Sequence, residues 1–310
     1  SQLDLTGDAV DVAVDARLNI AAVAGTSALH LINVSDAAAP VRTETINIPA
    51  AQVEVANGIA YVAIGTAIES YSLLTGELLQ VQRVGAANVT NLARDGTTLY
   101  ALDASRELSA IDLSGLAMSV LGRVSVPTGI GNVFVGNGIA YVGVVNTTSS
   151  GFVAVDVSNP AAMKVLSGPP STDVEGQAIV ANGSGLAVTV GHAFAFGAGP
   201  TANVLDIRDP TNTENFLTSF NLAADPFDIT IGAGIAFVAD GAGGLRVIDV
   251  SDPQSPQIVG TYAWGSSTMA TAVSVAGGPA GGNPYLYAFV LDSYSSTTTG
   301  IQIVNVATPS

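Results

Sequence analysis

A short apolar segment ending at a turn recurs seven times along this chain, and its spacing limits the fold more than any other feature. The clearest copy runs from Gly244 to Pro256 and reads GLRVIDVSDPQSP: an apolar strand, an Asp-Pro turn, then a second Pro. Taking Asp249 as its anchor, weaker copies are centred on Asn33, Ser72, Asp112, Asp156, Asp206 and Asn305. Successive anchors stand 39, 40, 44, 50, 43 and 56 residues apart. A period of about 40–50 residues is that of four-stranded propeller blades. Two-helix repeats of similar length are excluded, because apolar residues alternate with a period of two and β-branched residues dominate. The expectation is an all-β protein, a seven-bladed β-propeller of four-stranded antiparallel blades.

The turns divide the sequence. Asn57-Gly58, Asp95-Gly96, Asn137-Gly138 and Asn182-Gly183 each separate two alternating runs. Such dipeptides tolerate the positive φ of a tight hairpin, so they mark the turn between a blade's first and second strands. The blades then fall at about 7–49, 50–87, 88–127, 128–171, 172–223, 224–264 and 265–310. The last copy, GIQIVNVATP, stops after a third strand. An unpaired edge is an aggregation hazard that closed folds remove. SQLDL, at residues 1–5, has the length and alternation to supply the missing strand and close the ring. No linker or low-complexity stretch interrupts residues 1–310, which read as one domain.

The net charge of −16, with Lys164 as the only lysine, makes nucleic acid a poor partner, since that affinity rests on Lys and Arg neutralising phosphates. No apolar run reaches the roughly 20 residues of a membrane helix. There is no cysteine. A surface poor in Lys and Glu and rich in Ser, Thr, Gly and Ala points to an extracellular or cell-surface setting. The sequence opens on Ser1 without a signal-like segment, as a processed mature form would.

GLRVIDVSDPQSP resembles the LVIVD repeat, a propeller-forming repeat of bacterial and archaeal surface and secreted proteins. The resemblance extends to Asn33-Val34-Ser35-Asp36, Asp156-Val157-Ser158-Asn159-Pro160 and Asp206-Ile207-Arg208-Asp209-Pro210. Blades 2 and 3 depart from it, with Leu74-Thr75-Gly76 and Leu113-Ser114-Gly115 at the turn. The resemblance implies the fold and a surface or secreted setting, and no catalytic residues.

The recurring strand-end Asp has two readings, a cation ring or an acceptor for its own turn. Asn33, Ser72 and Asn305 in other blades favour hydrogen bonding over charge. A second column starts the first strands: Asp11, Gln52, Thr90, Asn132, Gln177, Asp228 and Ala272. Its polarity predicts a wet channel mouth. Asp11 and Asp228 could hold Ca²⁺ or another hard cation there, with a ring of solvated polar residues as the plainer reading. No other cofactor is expected: zinc motifs, a P-loop, a dinucleotide fingerprint and a GxSxG elbow are all missing.

Loops joining strand two to three, and blade to blade, share one face of a propeller. That face collects the longest departures from the repeat. Gly191–Ala202 is a long connection in blade 5 and Leu291–Gly300 one in blade 7. They bring His192, Phe194, Phe196 and Tyr294, joined by Trp264, Asp173 and Glu175. Aromatic side chains anchor interfaces and stack on sugars; the plain alternative is that Phe194 and Phe196 pack under their own loop. The sequence therefore suggests a non-catalytic scaffold whose partner is an extracellular protein or glycan, or further copies of itself. A propeller hydrolase or lyase acting on a glycan is the alternative, drawing on His192, Asp173, Glu175, Asp240 and Asp292.

Overall fold

The computed structural model describes all residues except 116, 129–130, 145–150, 167–175, 183–184, 193–198, 213–214, 233, 265–267, 278–285, 296–297 and 307–310. The described residues form seven four-stranded antiparallel sheets. After β1 (Gln2–Thr6), blade 1 holds β2 (Ala9–Asp15), β3 (Ile20–Gly25), β4 (Leu29–Asn33) and β5 (Val41–Ile46). Blade 2 holds β6 (Gln52–Ala56), β7 (Ile59–Ile64), β8 (Ala67–Ser72) and β9 (Leu78–Arg83). Blade 3 holds β10 (Val89–Asp95), β11 (Thr98–Asp103), β12 (Glu107–Asp112) and β13 (Ser119–Ser125). Blade 4 holds β14 (Val133–Gly136), β15 (Ile139–Val144), β16 (Gly151–Asp156) and β17 (Lys164–Val165). Blade 5 holds β18 (Ala178–Ala181), β19 (Leu186–His192), β20 (Pro200–Asp206) and β21 (Phe216–Asn221). Blade 6 holds β22 (Asp228–Gly232), β23 (Ile235–Ala239), β24 (Leu245–Asp249) and β25 (Gln257–Tyr262). Blade 7 holds β26 (Met269–Gly277), β27 (Leu286–Ser295) and β28 (Thr298–Val306), and its fourth strand is β1, as the incomplete last repeat predicts.

The closure is a regular ladder. The Ser1 amine donates to the Ile303 carbonyl at 3.1 Å and the Ile303 amide returns a bond to Ser1 at 2.9 Å. Leu3 then pairs with Ile301 and Leu5 with Thr299. Leu5 is buried in a cluster shared by blades 1 and 7, with Val12, Val23, Phe289, Leu291 and Ile303. The same chemistry repeats around the ring, because the second and third strands carry apolar residues on both faces. Val247 faces blade 7 with Phe237 and Val290, while Ile248 faces blade 5 with Val188 and Val204. Small residues let the blades approach. A Cβ added at Gly143 would lie 2.2 Å from the Gly176 carbonyl oxygen at the junction of blades 4 and 5.

The repeated motif has a direct physical reading. The strand-end residue accepts from the amide two residues on, in Asn33 to Ser35 (2.9 Å), Asp112 to Ser114 (2.9 Å), Asp156 to Ser158 (3.0 Å), Asp206 to Arg208 (3.0 Å) and Asp249 to Ser251 (2.9 Å). A second such turn follows at Asp36, Asn159, Asp209 and Asp252. Between the two sits a buried apolar residue, such as Val34, Val157 or Val250. Its amide donates across to the first hairpin turn, at the carbonyls of Asn19, Gly138 and Gly234. The hydrogen-bonding reading of the strand-end column therefore holds. Hydrogen bonds lower the pKa of these acids below the usual carboxylate value: the Ser158 and Ser251 hydroxyls, then their amides, at Asp156 and Asp249, the Ser114 amide and then its hydroxyl at Asp112, and the Arg208 guanidinium most at Asp206, which falls to about 2.

The rim has a feature that the sequence does not disclose. The outer strands β5, β9, β13, β21 and β25 each carry a one-residue register shift, which falls at Thr43, Leu79, Leu121, Leu217 and Val259. A bulge bends and twists an edge away from flat pairing, which protects an open strand from edge-to-edge association. The shared register of β1 and β28 has no such shift.

If β1 closes the ring, removing residues 1–6 uncovers Leu291 and Ile301 and deletes the buried Leu5. Losing a buried Leu costs about 2–5 kcal/mol by itself, which lowers the thermal midpoint by on the order of 5 °C or more in a protein of this size. Differential scanning calorimetry of the shortened protein measures this shift, and an unchanged midpoint would count against the closure.

Candidate functional site

The loop face departs from the sequence reading in its details. The connection expected over Gly191–Ala202 is shorter, since β19 runs through His192 and β20 resumes at Pro200, with His192 paired to Pro200. The stretch Leu291–Gly300 is mostly strand: β27 continues to Ser295, β28 starts at Thr298, and Asp292 pairs with Gly300. Ser and Thr give that stretch the look of a loop, but Thr and Tyr are good strand formers once a partner strand is present. Blade 7 thus has strands of 10 and 9 residues where the second and third strands of blade 6 have 5 each.

His192 and Tyr294 lie at or near the loop-face ends of β19 and β27; their side chains are outside the described set. Phe194, Phe196, Asp173 and Glu175 also lie outside the described residues. Trp264 follows β25 and is half-buried, packed against the cluster of Phe237, Leu245, Val273 and Val290 shared by blades 6 and 7. Its carbonyl accepts from the Thr268 hydroxyl at 2.9 Å.

Two acids of the catalytic alternative have structural partners. Asp240 is fully buried; its carboxylate accepts from the amides of Ala223 and Ala224 and pairs with Arg246 Nε at 2.9 Å. Asp292 is fully buried and accepts from Gln302 Nε2 at 2.6 Å. These bonds pin blade-to-blade connections and strand ends.

The central tunnel, about 350 Å³, is the second candidate. Its wall is polar, as expected, and includes Asp11, Glu54, Arg94, Asn132, Asp228 and Thr230. The two acids of the channel column do something the sequence does not reveal. Each reaches across to the inner strand of the next blade. Asp11 Oδ2 accepts from the Val53 amide at 2.8 Å, and Oδ1 from its neighbour Val12 at 2.8 Å. Asp228 Oδ2 accepts from the Val273 amide at 2.9 Å, and Oδ1 from Ile229 and from Asn132 Nδ2 at 3.0 Å. The inner strand is the open edge of each blade, so its amides need acceptors. Among the described residues no group of three or more His, Cys, Asp or Glu is placed to hold a metal ion.

Glu54 and Arg94 give no signal in the sequence; each resembles an ordinary solvent-facing strand residue until the ring folds it into the tunnel. Enclosure pushes all three acids up. Asp11 rises to about 8, through burial and then the nearby Asp228 and Glu54 charges, opposed by its two amide bonds. Glu54 rises to about 7, through burial opposed by Arg94. Asp228 rises to about 6, through burial opposed by its three bonds.

With this geometry, two stretches of the sequence, residues 131–168 and 227–263, match the LVIVD repeat, so LVIVD repeats occupy blades 4 and 6. No curated protein matches this sequence. Solved structures do. A subunit in the mitotic checkpoint complex aligns with a TM-score of 0.72 at 12% identity, covering 99% of this protein and 94% of that one. The Pan2 WD40 domain of Neurospora crassa aligns at 0.66 and 10%, covering 97% and 90%. BamB from Moraxella catarrhalis aligns at 0.58 and 13%, covering 96% and 86%. At these identities the likeness is one of fold.

The raised acids set a pH dependence. An acid whose folded pKa lies above its unfolded value holds its proton more tightly when folded. The stability it lends is full below the unfolded value, 3.8 for the two Asp and 4.5 for Glu54. It is lost as pH rises through the folded value, about 6 for Asp228, 7 for Glu54 and 8 for Asp11. The thermal midpoint should therefore fall on going from mildly acidic to mildly alkaline buffer, and Asp11→Asn should flatten the alkaline end of that fall. An identical slope in the variant would remove Asp11 as its source.

Proposed function

We propose that this LVIVD-repeat propeller is a non-catalytic extracellular or cell-surface scaffold that binds a protein or glycan through the loop face of blades 5 to 7. The observation that carries the reading is the uneven height of that face. Blade 7 stands above the ring on strands of 10 and 9 residues, blade 5 has strands of 7 and 7, and blade 6 between them has 5 and 5. Blade 6 is thus a short, regular blade flanked by two with longer strands, and half-buried Trp264 follows its outer strand. Variable projections on a rigid scaffold are where recognition sites concentrate.

Two further observations support it. Among the described residues, the turn face of blades 1, 4, 5 and 6 is occupied by paired Asx turns bonded to the neighbouring hairpin turns. Asp240 and Asp292, which a catalytic reading would need, are buried in structural bonds. No helix among the described residues is long and apolar enough to cross a membrane. A cation such as Ca²⁺ is assigned no role in this recognition; the amide bonds of Asp11 and Asp228 suffice to account for their placement.

The test is to replace residues 193–198 by a tight turn, keeping β19 and β20, and to compare the two proteins on a glycan array and in cross-linking to candidate surface proteins. Binding lost while the thermal midpoint is kept supports the reading. Binding that survives the trimming moves the site elsewhere, and glycan cleavage abolished by His192→Ala would replace the scaffold with an enzyme.

A further inference from the structure

Two turns of this protein are near-identical peptides in different surroundings. Residues 55–62 read VANGIAYV and residues 135–142 read VGNGIAYV. Each joins the first and second strands of its blade. The backbone is the same in both: φ is 52° at Asn57 and 54° at Asn137, and 80° and 76° at the glycines that follow. Both asparagines are exposed. Any difference in their chemistry must come from what surrounds them.

The difference at the glycine is one hydrogen bond. The Gly58 amide donates to Asp15 Oδ2, on the neighbouring blade, at 3.0 Å. Asp15 is 8% exposed and is itself held by the amides of Arg17 and Leu18 on Oδ1. The Gly138 amide makes no bond to a described residue. Asp95, which ends the first strand of the preceding blade as Asp15 does in blade 1, is exposed.

This bond matters because Asn-Gly carries its own reaction. The glycine nitrogen loses its proton to base and attacks the carboxamide carbon of the asparagine. A new C–N bond forms, the original carboxamide C–N bond breaks, and ammonia leaves with the proton returned to it. Water then opens the cyclic imide at either carbonyl, giving aspartate or isoaspartate. A carboxylate accepting from the glycine N–H opposes both the loss of that proton and the rotation that aims the nitrogen at the carbonyl.

We infer that Asn137 is a spontaneous modification site of the folded protein, converted to aspartate and isoaspartate, and that Asp15 shields the matching Asn57. The change is not neutral for the surface. Asn137 lines a cavity of about 690 Å³ between blades 4 and 5, with Phe134, Tyr141, Asn182 and Arg208. Conversion adds a carboxylate to that wall, and the isoaspartate form adds a methylene to the backbone of the hairpin turn. Both act on the turn face, away from the loop face proposed above.

The experiment holds the folded protein in mildly alkaline buffer and follows both sites by proteolysis and peptide mass spectrometry. Asn137 should convert about ten-fold faster than Asn57, the factor that one hydrogen bond to a charged group supplies. Asp15→Asn should raise the rate at Asn57 toward that at Asn137 and leave Asn137 unchanged. In concentrated urea the two wild-type sites should convert at similar rates, a comparison that stands even where the Asp15 variant fails to fold. Conversion of Asn57 as fast as Asn137 in the folded wild type overturns the inference, and so does a difference that persists in urea.

Discussion

A sheet that is apolar on both faces cannot stand alone in water, and everything else in this molecule follows from that. The second and third strands of each blade carry Val, Ile, Leu and Ala on both sides, and each face is buried only against the next blade. An open row of such blades would leave two apolar faces bare at its ends. A ring leaves none, provided that the first and last blades meet. They meet through Val12 and Val23 on one side and Leu5, Phe289, Leu291, Ile301 and Ile303 on the other, and β1 holds that contact by completing blade 7. The closing strand ties residues about 300 positions apart, so the ring joins both ends of the described sequence in one sheet.

The rim and the tunnel are consequences of the same geometry. Each blade has an inner and an outer strand with one unpaired edge. Outside, bulges at Thr43, Leu79, Leu121, Leu217 and Val259 distort that edge and reduce its use as a template. Inside, Asp11 and Asp228 supply acceptors to the amides of the next blade, at Val53 and Val273. Those acids work as links between blades, and the raised pKa of each is the cost of placing a carboxyl in the tunnel wall.

Local chemistry made much of this readable in the sequence. The anchors at Asn33, Asp156, Asp206 and Asp249 mark turns because each side chain bonds an amide two residues away, so spacing alone locates them. The fourth strand of blade 7 was legible as a deficit, a repeat one strand short beside an unused alternating segment. Long-range chemistry was not legible. The Asp11–Val53 and Asp228–Val273 bonds depend on which strands become neighbours at the axis, and nothing in VDVAV or FDITIG announces an acceptor for another blade. Blade 7's tall hairpin was hidden because Ser and Thr suit loops and exposed strands alike. Of the loop-face candidates, Trp264 lies where expected but is half-buried against Phe237 and Val290, a packing role that its position in the sequence does not disclose.

Native-state hydrogen exchange tests the ring account most directly. Ser1 and Ile303 exchange both backbone bonds, so by the two-residue period of an antiparallel ladder the amides of Leu3, Leu5 and Ile301 point into the β1–β28 interface. If β1 is an integral part of the closed ring, these amides should be protected to a degree similar to those of the inner ladder of blade 6, such as Phe237 and Val247. Exchange of Leu3 and Leu5 at the rate of loop amides, with the blade 6 amides still protected, would contradict the account, because the ring would then hold without its closing strand.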